Sequence, residues 1–384
     1  MKRALSLILA LMFVLALMTG CGGGGNNNQP AGNSGQPPAP APGSSGNQPA
    51  SGGQSTESSD SWENEKKVEI SFVSQYTTAH TRGALEQFMF DRVYEKTGGT
   101  VEFIPYWSSS LFSSSSGWAE VMAGTADGTH IPPFTALDHF KVDPVATMCF
   151  ASSSLNYKQV MLAMEELYNT MPEYKAEWDG LVPINWDAPG GTMYIMSNVP
   201  IQSVDDLKGK SFRVTGTHTG EMLETFGGVA VKMPSGEVLD ALSKGIIQGV
   251  CSSINNMQDG NYIDVCKYAI ALGIPSDPGL NRFIREDRFN EMSAKQKEAF
   301  LEAVQDYREE CWVRIAAKEQ EVLKFCDENG ATVIQMPAED SAKIREVLEN
   351  IAKREAENLN SMGYDGTGLY ETAKMLAEKY KNVT

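Results

Sequence analysis

Apolar and polar residues alternate from Val68 to Val73 in a β-branched run, which predicts a strand with one buried face. A polar loop, Ser74 to His80, leads to a helical stretch over about Thr81 to Lys96, where Leu85, Phe88, Met89 and Val93 recur at helical spacing. Thr97-Gly98-Gly99 closes that helix, because glycine readily takes the left-handed backbone at a helix end. Thr100 to Pro105 is the next strand. This β-α-β opening predicts a parallel strand pair with the helix on one face.

The same grammar continues. Helices are predicted at Gly117 to Ala123 and Lys158 to Tyr168, and strands at Leu181 to Trp186 and Met193 to Met196. A short turn or helix at Val204 to Gly209 precedes a strand, Ser211 to Val214. A helix at Glu221 to Phe226, a strand at Ala230 to Met233, a helix at Ser235 to Lys244 and a strand at Ile246 to Val250 follow. Ser293 is placed to cap a long helix that runs to about Lys324 and closes at Asn329-Gly330. At 1.5 Å per residue it spans about 45–55 Å, enough to cross two lobes. Further helices are predicted at Ala338 to Met362 and Leu369 to Tyr380. Alternating βα units with terminal helices predict an α/β protein, whose ligands sit in a crevice outside the carboxyl ends of strands.

The N-terminus changes the compartment. Lys2 and Arg3 precede an uncharged apolar run, Ala4 to Met18, too short for a comfortable membrane span and shaped like a secretory signal. It ends in Met18-Thr19-Gly20-Cys21, which resembles a bacterial lipobox: residues 1–20 leave and Cys21 is lipidated. Ordinary signal cleavage is the alternative. Residues 21–64 after the cleavage point are almost all Gly, Asn, Gln, Pro, Ser and Ala, and bury too little apolar surface to offset their ordering entropy. They read as a tether with a random-coil reach of about 35–40 Å. About 320 of the 384 residues remain, more than one core usually holds, which predicts two lobes.

A net charge of −17 without a basic stripe argues against a nucleic-acid partner. Beyond Cys21 the cysteines are Cys149, Cys251, Cys266, Cys311 and Cys326, with no C-x-x-C and no Cys/His cluster, so no metal site is expected. Cys251 and Cys266 are a candidate pair, and buried free thiols are the simpler reading. There is no G-x-S-x-G elbow, phosphate-binding lysine loop or dinucleotide fingerprint, and the four histidines, His80, His130, His139 and His218, lack metal-like spacing. The absence of these motifs lowers the expectation of catalysis without excluding it, and no cofactor is called for.

Arg213 is the leading candidate site residue. It lies in a strand between Phe212 and Val214, before Thr215-Gly-Thr-His-Thr-Gly220 and a helix. A strand end, a Gly/Thr loop and a helix N-terminus make an anion-receptive surface, and a guanidinium fits a carboxylate bidentately. On local sequence alone, an exposed arginine in a surface ion pair is the other reading.

Asp206-Leu-Lys-Gly-Lys-Ser-Phe-Arg213 resembles the D-L-K-G-x-K-x-R segment of substrate-binding proteins of TRAP transporters, the tripartite ATP-independent periplasmic systems. Thr97-Gly98 and Ile104-Pro105, Gly124-Thr-Ala-Asp127, Met233-Pro-Ser-Gly-Glu237, Ala241-Leu242, Gly245-Ile-Ile-Gln-Gly249 and Lys267-Tyr268 resemble further blocks of that family in the same order. His80 falls where the family often has a histidine. The resemblance implies a two-lobe, periplasmic-binding-protein-like fold with an interlobe cleft, crossed by a long helix. Residues 65–190 plus about 282–325 would form the first lobe, and 191–281 plus about 326–384, with the C-terminal helices, the second. It implies capture of a small carboxylate-bearing solute, gripped by Arg213 and handed to membrane permease subunits by a lipid-anchored, extracytoplasmic protein.

The chain also departs from the family. Where a second arginine often stands in a G-x-R segment, it has Thr192 or Met193, and Ser252 stands where asparagine is frequent. The expected pocket is less cationic and richer in hydroxyls, with Thr192, Ser252 and Ser253 as donors. Trp186, Tyr194 and Trp107 are candidates for apolar walls, with core packing as their other reading. A binding lipoprotein of the ABC type, a surface hydrolase and a ligand-presenting partner of a membrane sensor are the competing functional readings.

Overall fold

The computed structural model describes residues 61–383 apart from Pro189 and Pro234. The expected signal segment, Cys21 and all but the last four residues of the expected tether lie outside the described residues.

Two sheets organise the described chain. The first contains β1 (Val68–Val73), β2 (Val101–Tyr106), β3 (Gly128–Ile131), β4 (Leu181–Asn185) and, from much later, β10 (Asn281–Arg285), in the order β2-β1-β3-β10-β4. The second contains β5 (Thr192–Ser197), β6 (Ser211–Val214), β7 (Val229–Lys232), β8 (Gly249–Ser252), β9 (Tyr268–Pro275) and β11 (Thr332–Gln335), in the order β11-β9-β5-β8-β6-β7. The chain crosses between sheets at 186–191 and returns at 276–280. Backbone bonds tie the two crossovers together: Gly279 and Leu280 both donate N–H to the Asp187 carbonyl at 2.9 Å, and Ser276 donates to Gly191 at 3.0 Å.

The opening unit forms as its pattern predicts. β1 buries Val68, Ile70 and Phe72 and pairs in parallel with β2. Helix α1 (Thr81–Lys96) packs Leu85, Met89, Phe90 and Val93 over them, each fully buried apolar side chain contributing roughly 1.5–3 kcal/mol. It stops at Gly98 and Gly99, whose φ of 58° and 76° disfavour any residue with a Cβ. The helices α2 (Gly117–Met122), α3 (Val142–Ala151), α4 (Tyr157–Thr170) and α5 (Pro172–Ala176) belong to the first lobe. In the second, α6 (Thr217–Thr225) starts one turn earlier than its sequence pattern indicates, followed by α7 (Val238–Ser243) and α8 (Asn256–Asp259). The strand expected at 246–250 forms at 249–252, because Gly245 ends α7 with φ 69° and 246–248 are spent on the turn.

After the short α9 (Glu286–Asn290), α10 runs from Ala294 to Glu328. Ser293 caps it, in a capping box with Gln296. Its 35 residues span about 52 Å, and its buried residues divide. Phe300, Val304, Tyr307 and Ile315 join the core under the first sheet, while Val322 and Cys326 join a core under the second. This is the two-lobe α/β fold with a long helix crossing both lobes.

The C-terminal helices are shared between lobes rather than assigned to the second. In α11 (Ala338–Ser361), Ile344, Leu348 and Ile351 pack beneath the second sheet, whereas Ala352, Ala356 and Leu359 enter the first-lobe core. Helix α12 (Gly366–Tyr380) packs Leu369, Tyr370, Ala373 and Leu376 in that first-lobe core, against α3 and α4. The five described cysteines are all buried and free, so Cys251 and Cys266 are unbonded.

Candidate ligand-binding cleft

A cavity of about 1190 Å³ lies between the lobes, floored by the return crossover at Asp277 to Leu280. The first lobe contributes Gln75, Tyr76, His80, Arg82 and Ser109; the second contributes Arg213, the 215–218 loop, Ser252, Ser253, Asp259 and Tyr262.

Arg213 reaches the cavity because β6 alternates. Phe212 and Val214 are buried in the core on one face, so the residue between them emerges on the other. Its Nε donates to the Met233 carbonyl at 3.3 Å. Among the described residues no carboxylate pairs with it. Burial pulls its guanidinium below the ordinary value, with the Tyr262 phenol and Cys251 thiol opposing. Arginine stays charged in proteins regardless, so a half-buried cation here faces open space. Just beyond it, Gly216 is the N-cap of α6 and supplies no side-chain cap. A Cβ on Gly216 would come within 2.9 Å of Asp277 Oδ2 and 3.0 Å of His218 Cε1, so glycine is needed for the close approach.

His80 stands across the cleft. Its Nδ1 accepts the Arg82 amide N–H at 3.1 Å and caps α1, which leaves its proton on Nε2. Its ring stacks on Tyr76, with centroids 4.4 Å apart. Burial lowers its pKa, with Asp259 opposing. Nε2 lies 3.6 Å from Asp259 Oδ2, too long for a hydrogen bond.

Arg82 also touches the cavity, but its charge is answered internally. Its Nη1 donates to Asp187 Oδ1 and Oδ2 at 2.6 and 2.7 Å and to Tyr157 at 3.2 Å, and its Nη2 donates to the Ala188 carbonyl. Arg282 joins Asp187 from the other side and donates to Glu86 at 2.9 Å. Two guanidiniums and two carboxylates thus neutralise one another where the crossovers meet. Burial opposes the charge on Arg82, yet Asp187 holds its pKa above the ordinary value.

Ser252 and Ser253 line the cavity with Arg213 and His80. Ser252 Oγ accepts from Asn256 at 3.0 Å, and Ser253 is buried. Thr192, Trp186, Tyr194 and Trp107 do not line it. Thr192 opens β5 opposite Pro275. Tyr194 sits in the second-lobe core and donates to Glu319 at 3.0 Å. Trp186 is enclosed by Trp178 and Phe283, and Trp107 leans on Phe90. Large aromatics reduce most unfavourable surface in a core, and these went there. Tyr76, Tyr262, Arg82 and Asp259 escaped sequence reading. None of the four carried a local signal, since each is set against the cavity by packing between remote segments.

The sequence model of the bacterial extracellular solute-binding protein family 7, DctP, matches residues 72–358. A solute-binding protein of Chromohalobacter salexigens is 24% identical over 248 residues, 62% of this chain and 68% of its own length. The fold is similar to a crystal structure of a TRAP periplasmic solute-binding protein from Desulfovibrio salexigens, with TM-score 0.71 and 21% identity over 83% of this chain and 98% of that one. It is also similar to a marine metagenome TRAP solute-binding protein specific for aromatic acid ligands, in complex with metahydroxyphenylacetate. That match has TM-score 0.73 and 18% identity over 82% of this chain and all of the other.

Proposed function

This chain belongs to the bacterial extracellular solute-binding proteins of family 7, a family of binding proteins rather than enzymes, and we propose that it captures a small organic acid for a TRAP-type membrane permease. The observation that carries this reading is Arg213, a half-buried guanidinium on the interlobe cavity with no carboxylate partner among the described residues. Its desolvation is uncompensated until an anion arrives, and charge-assisted bonds to a carboxylate supply that compensation. The relative that carries metahydroxyphenylacetate, itself a carboxylate, points the same way. Because the cavity walls come from both lobes, a bound solute touches both and favours the closed arrangement. His80, Ser252 and Ser253 contribute polar contacts to the body of the solute. Residues 1–20 act as a signal, Cys21 carries the lipid anchor, and the domain works tethered outside the membrane; Cys21→Ser should move it from the membrane to the soluble fraction.

Titration calorimetry against a library of organic acids tests the central claim. Arg213→Ala should weaken the best binder by about 100-fold, since losing two charge-assisted bonds costs roughly 3 kcal/mol. Unchanged affinity in the variant would refute the role given to Arg213.

A further inference from the structure

Recognition of a carboxylate needs one cationic receptor, and Arg213 is that receptor. The same cavity also holds an acid that the chain leaves unanswered. Among the described residues five carboxylates line it: Asp143, Glu221, Asp259, Asp277 and Glu355. Four have committed donors. Asp277 accepts from His218 at 3.0 Å and Thr219 at 2.7 Å. Asp143 accepts from Tyr174 at 2.7 Å and Thr147 at 3.3 Å. Glu221 and Glu355 share Arg354, at 2.8 and 2.6 Å from its Nη2.

Asp259 differs. Its side chain is only 10% exposed, yet its one described hydrogen bond is a long one to Oδ2 from the Thr81 hydroxyl, at 3.3 Å. Oδ1 accepts nothing among the described residues. His80 faces it from the first lobe, but not as a cation. The His80 Nδ1 is occupied as the acceptor that caps α1, so protonation there would break the cap, and burial further disfavours the imidazolium. The remaining cations around His80 and Asp259 are engaged elsewhere. Lys318 donates to Glu321 at 2.8 Å and to Gln258, and Arg82 and Arg282 are neutralised by Asp187 and Glu86. A carboxylate this dehydrated is costly unless a positive charge meets it.

We infer that the solute is a zwitterion, with its carboxylate on Arg213 and a cationic nitrogen at Asp259. A primary or a quaternary ammonium would equally meet the need of the Asp259 carboxylate for a positive charge. A second carboxylate at Asp259 is disfavoured, because it would meet a like charge where the neighbouring described cations, Lys318, Arg82 and Arg282, are engaged elsewhere. This inference rests on the carboxylate reading of the same cavity and narrows it to amino acids and betaines.

Matched pairs provide the test. The full-length protein is titrated by calorimetry with the twenty protein amino acids and glycine betaine. Each is compared with a partner lacking the cationic nitrogen: the 2-hydroxy acid of the same skeleton, or 3,3-dimethylbutyrate for betaine. At least one zwitterion should bind at least tenfold more tightly than its partner. Asp259→Asn should shrink that ratio to about threefold or less while the nitrogen-free partner binds as well as before, and Arg213→Ala should weaken both. The wild-type ratio stands even if the asparagine variant does not fold. A panel without a zwitterionic binder, a ratio near one, or a ratio retained in Asp259→Asn overturns the inference. Arg213-dependent binding of the nitrogen-free acids alone would sink the zwitterion and leave the carboxylate reading. Zwitterion binding indifferent to Arg213→Ala would sink the carboxylate reading instead.

Discussion

Arg82 and Arg213 both reach the cavity, and their surroundings give them opposite roles. Arg82 is buried with Asp187, Arg282 and Glu86, where opposite charges cancel and the guanidinium also grips the Ala188 carbonyl in the crossover. Its partners are all internal, so it braces the junction between lobes. Arg213 is less deeply buried and, among the described residues, bonds a single carbonyl. It is poorly compensated within the chain and therefore available. Residue type and proximity to the cavity are shared, so what separates the internal brace from the proposed receptor is whether the fold supplies an anion.

That contrast can be broken most forcefully at Asp187. Asp187→Ala strands two buried guanidiniums, and urea unfolding should show a loss of about 3–5 kcal/mol. A loss below about 1 kcal/mol would mean the cluster does not brace the junction. Arg213→Ala should do the reverse, lowering affinity about 100-fold while unfolding stability without ligand moves by less than about 1 kcal/mol.

The acids beside the cavity sharpen the same point through pH. Burial lifts the Asp143 carboxyl to about 7, its hydroxyl partners being too weak to hold the charge. A raised folded pKa gives stability that is complete below the unfolded value near 4 and is lost as pH climbs toward 7. Replacing Asp143 by asparagine should therefore flatten the decline in stability between pH 4 and 7, an effect of order 2–4 kcal/mol at its upper end. Asp277 behaves oppositely. Burial alone would raise it, but His218 and Thr219 hold it below the usual carboxylate range, so its contribution is present above pH 4 and lost in more acid solution. The smallest effect is expected at Thr192. It lies off the cavity, so Thr192→Ala should leave affinity within about twofold; a large loss would place the cavity wall wrongly.

Legibility from sequence followed distance along the chain. The opening β-α-β unit, the Ser293 cap and the strand carrying Arg213 each follow from periodicity and end signals within a few residues. The sequence pattern does not yield β3, β9, β10, β11 or α3: β3, β10 and β11 are short, β9 is apolar without alternation over Ala269–Leu272, and β10 carries the buried polar pair Asn281 and Arg282. The aromatic candidates failed for another reason. An aromatic ring fits a core and a ligand wall equally well by composition, and only packing assigned Trp186 and Tyr194 to cores.

By itself, then, the sequence determined the order and type of most elements, the long helix that crosses the lobes, and a segment that offers one guanidinium beside a helix start. These depend on neighbours in the chain. Only the tertiary structure decided which charges cancel. Arg82 meets Asp187 across 105 residues, and Thr81 meets Asp259 across 178. Partnership at that separation depends on how two sheets and two crossovers bring remote side chains together, and the strength of each charge is set by the water that this arrangement removes.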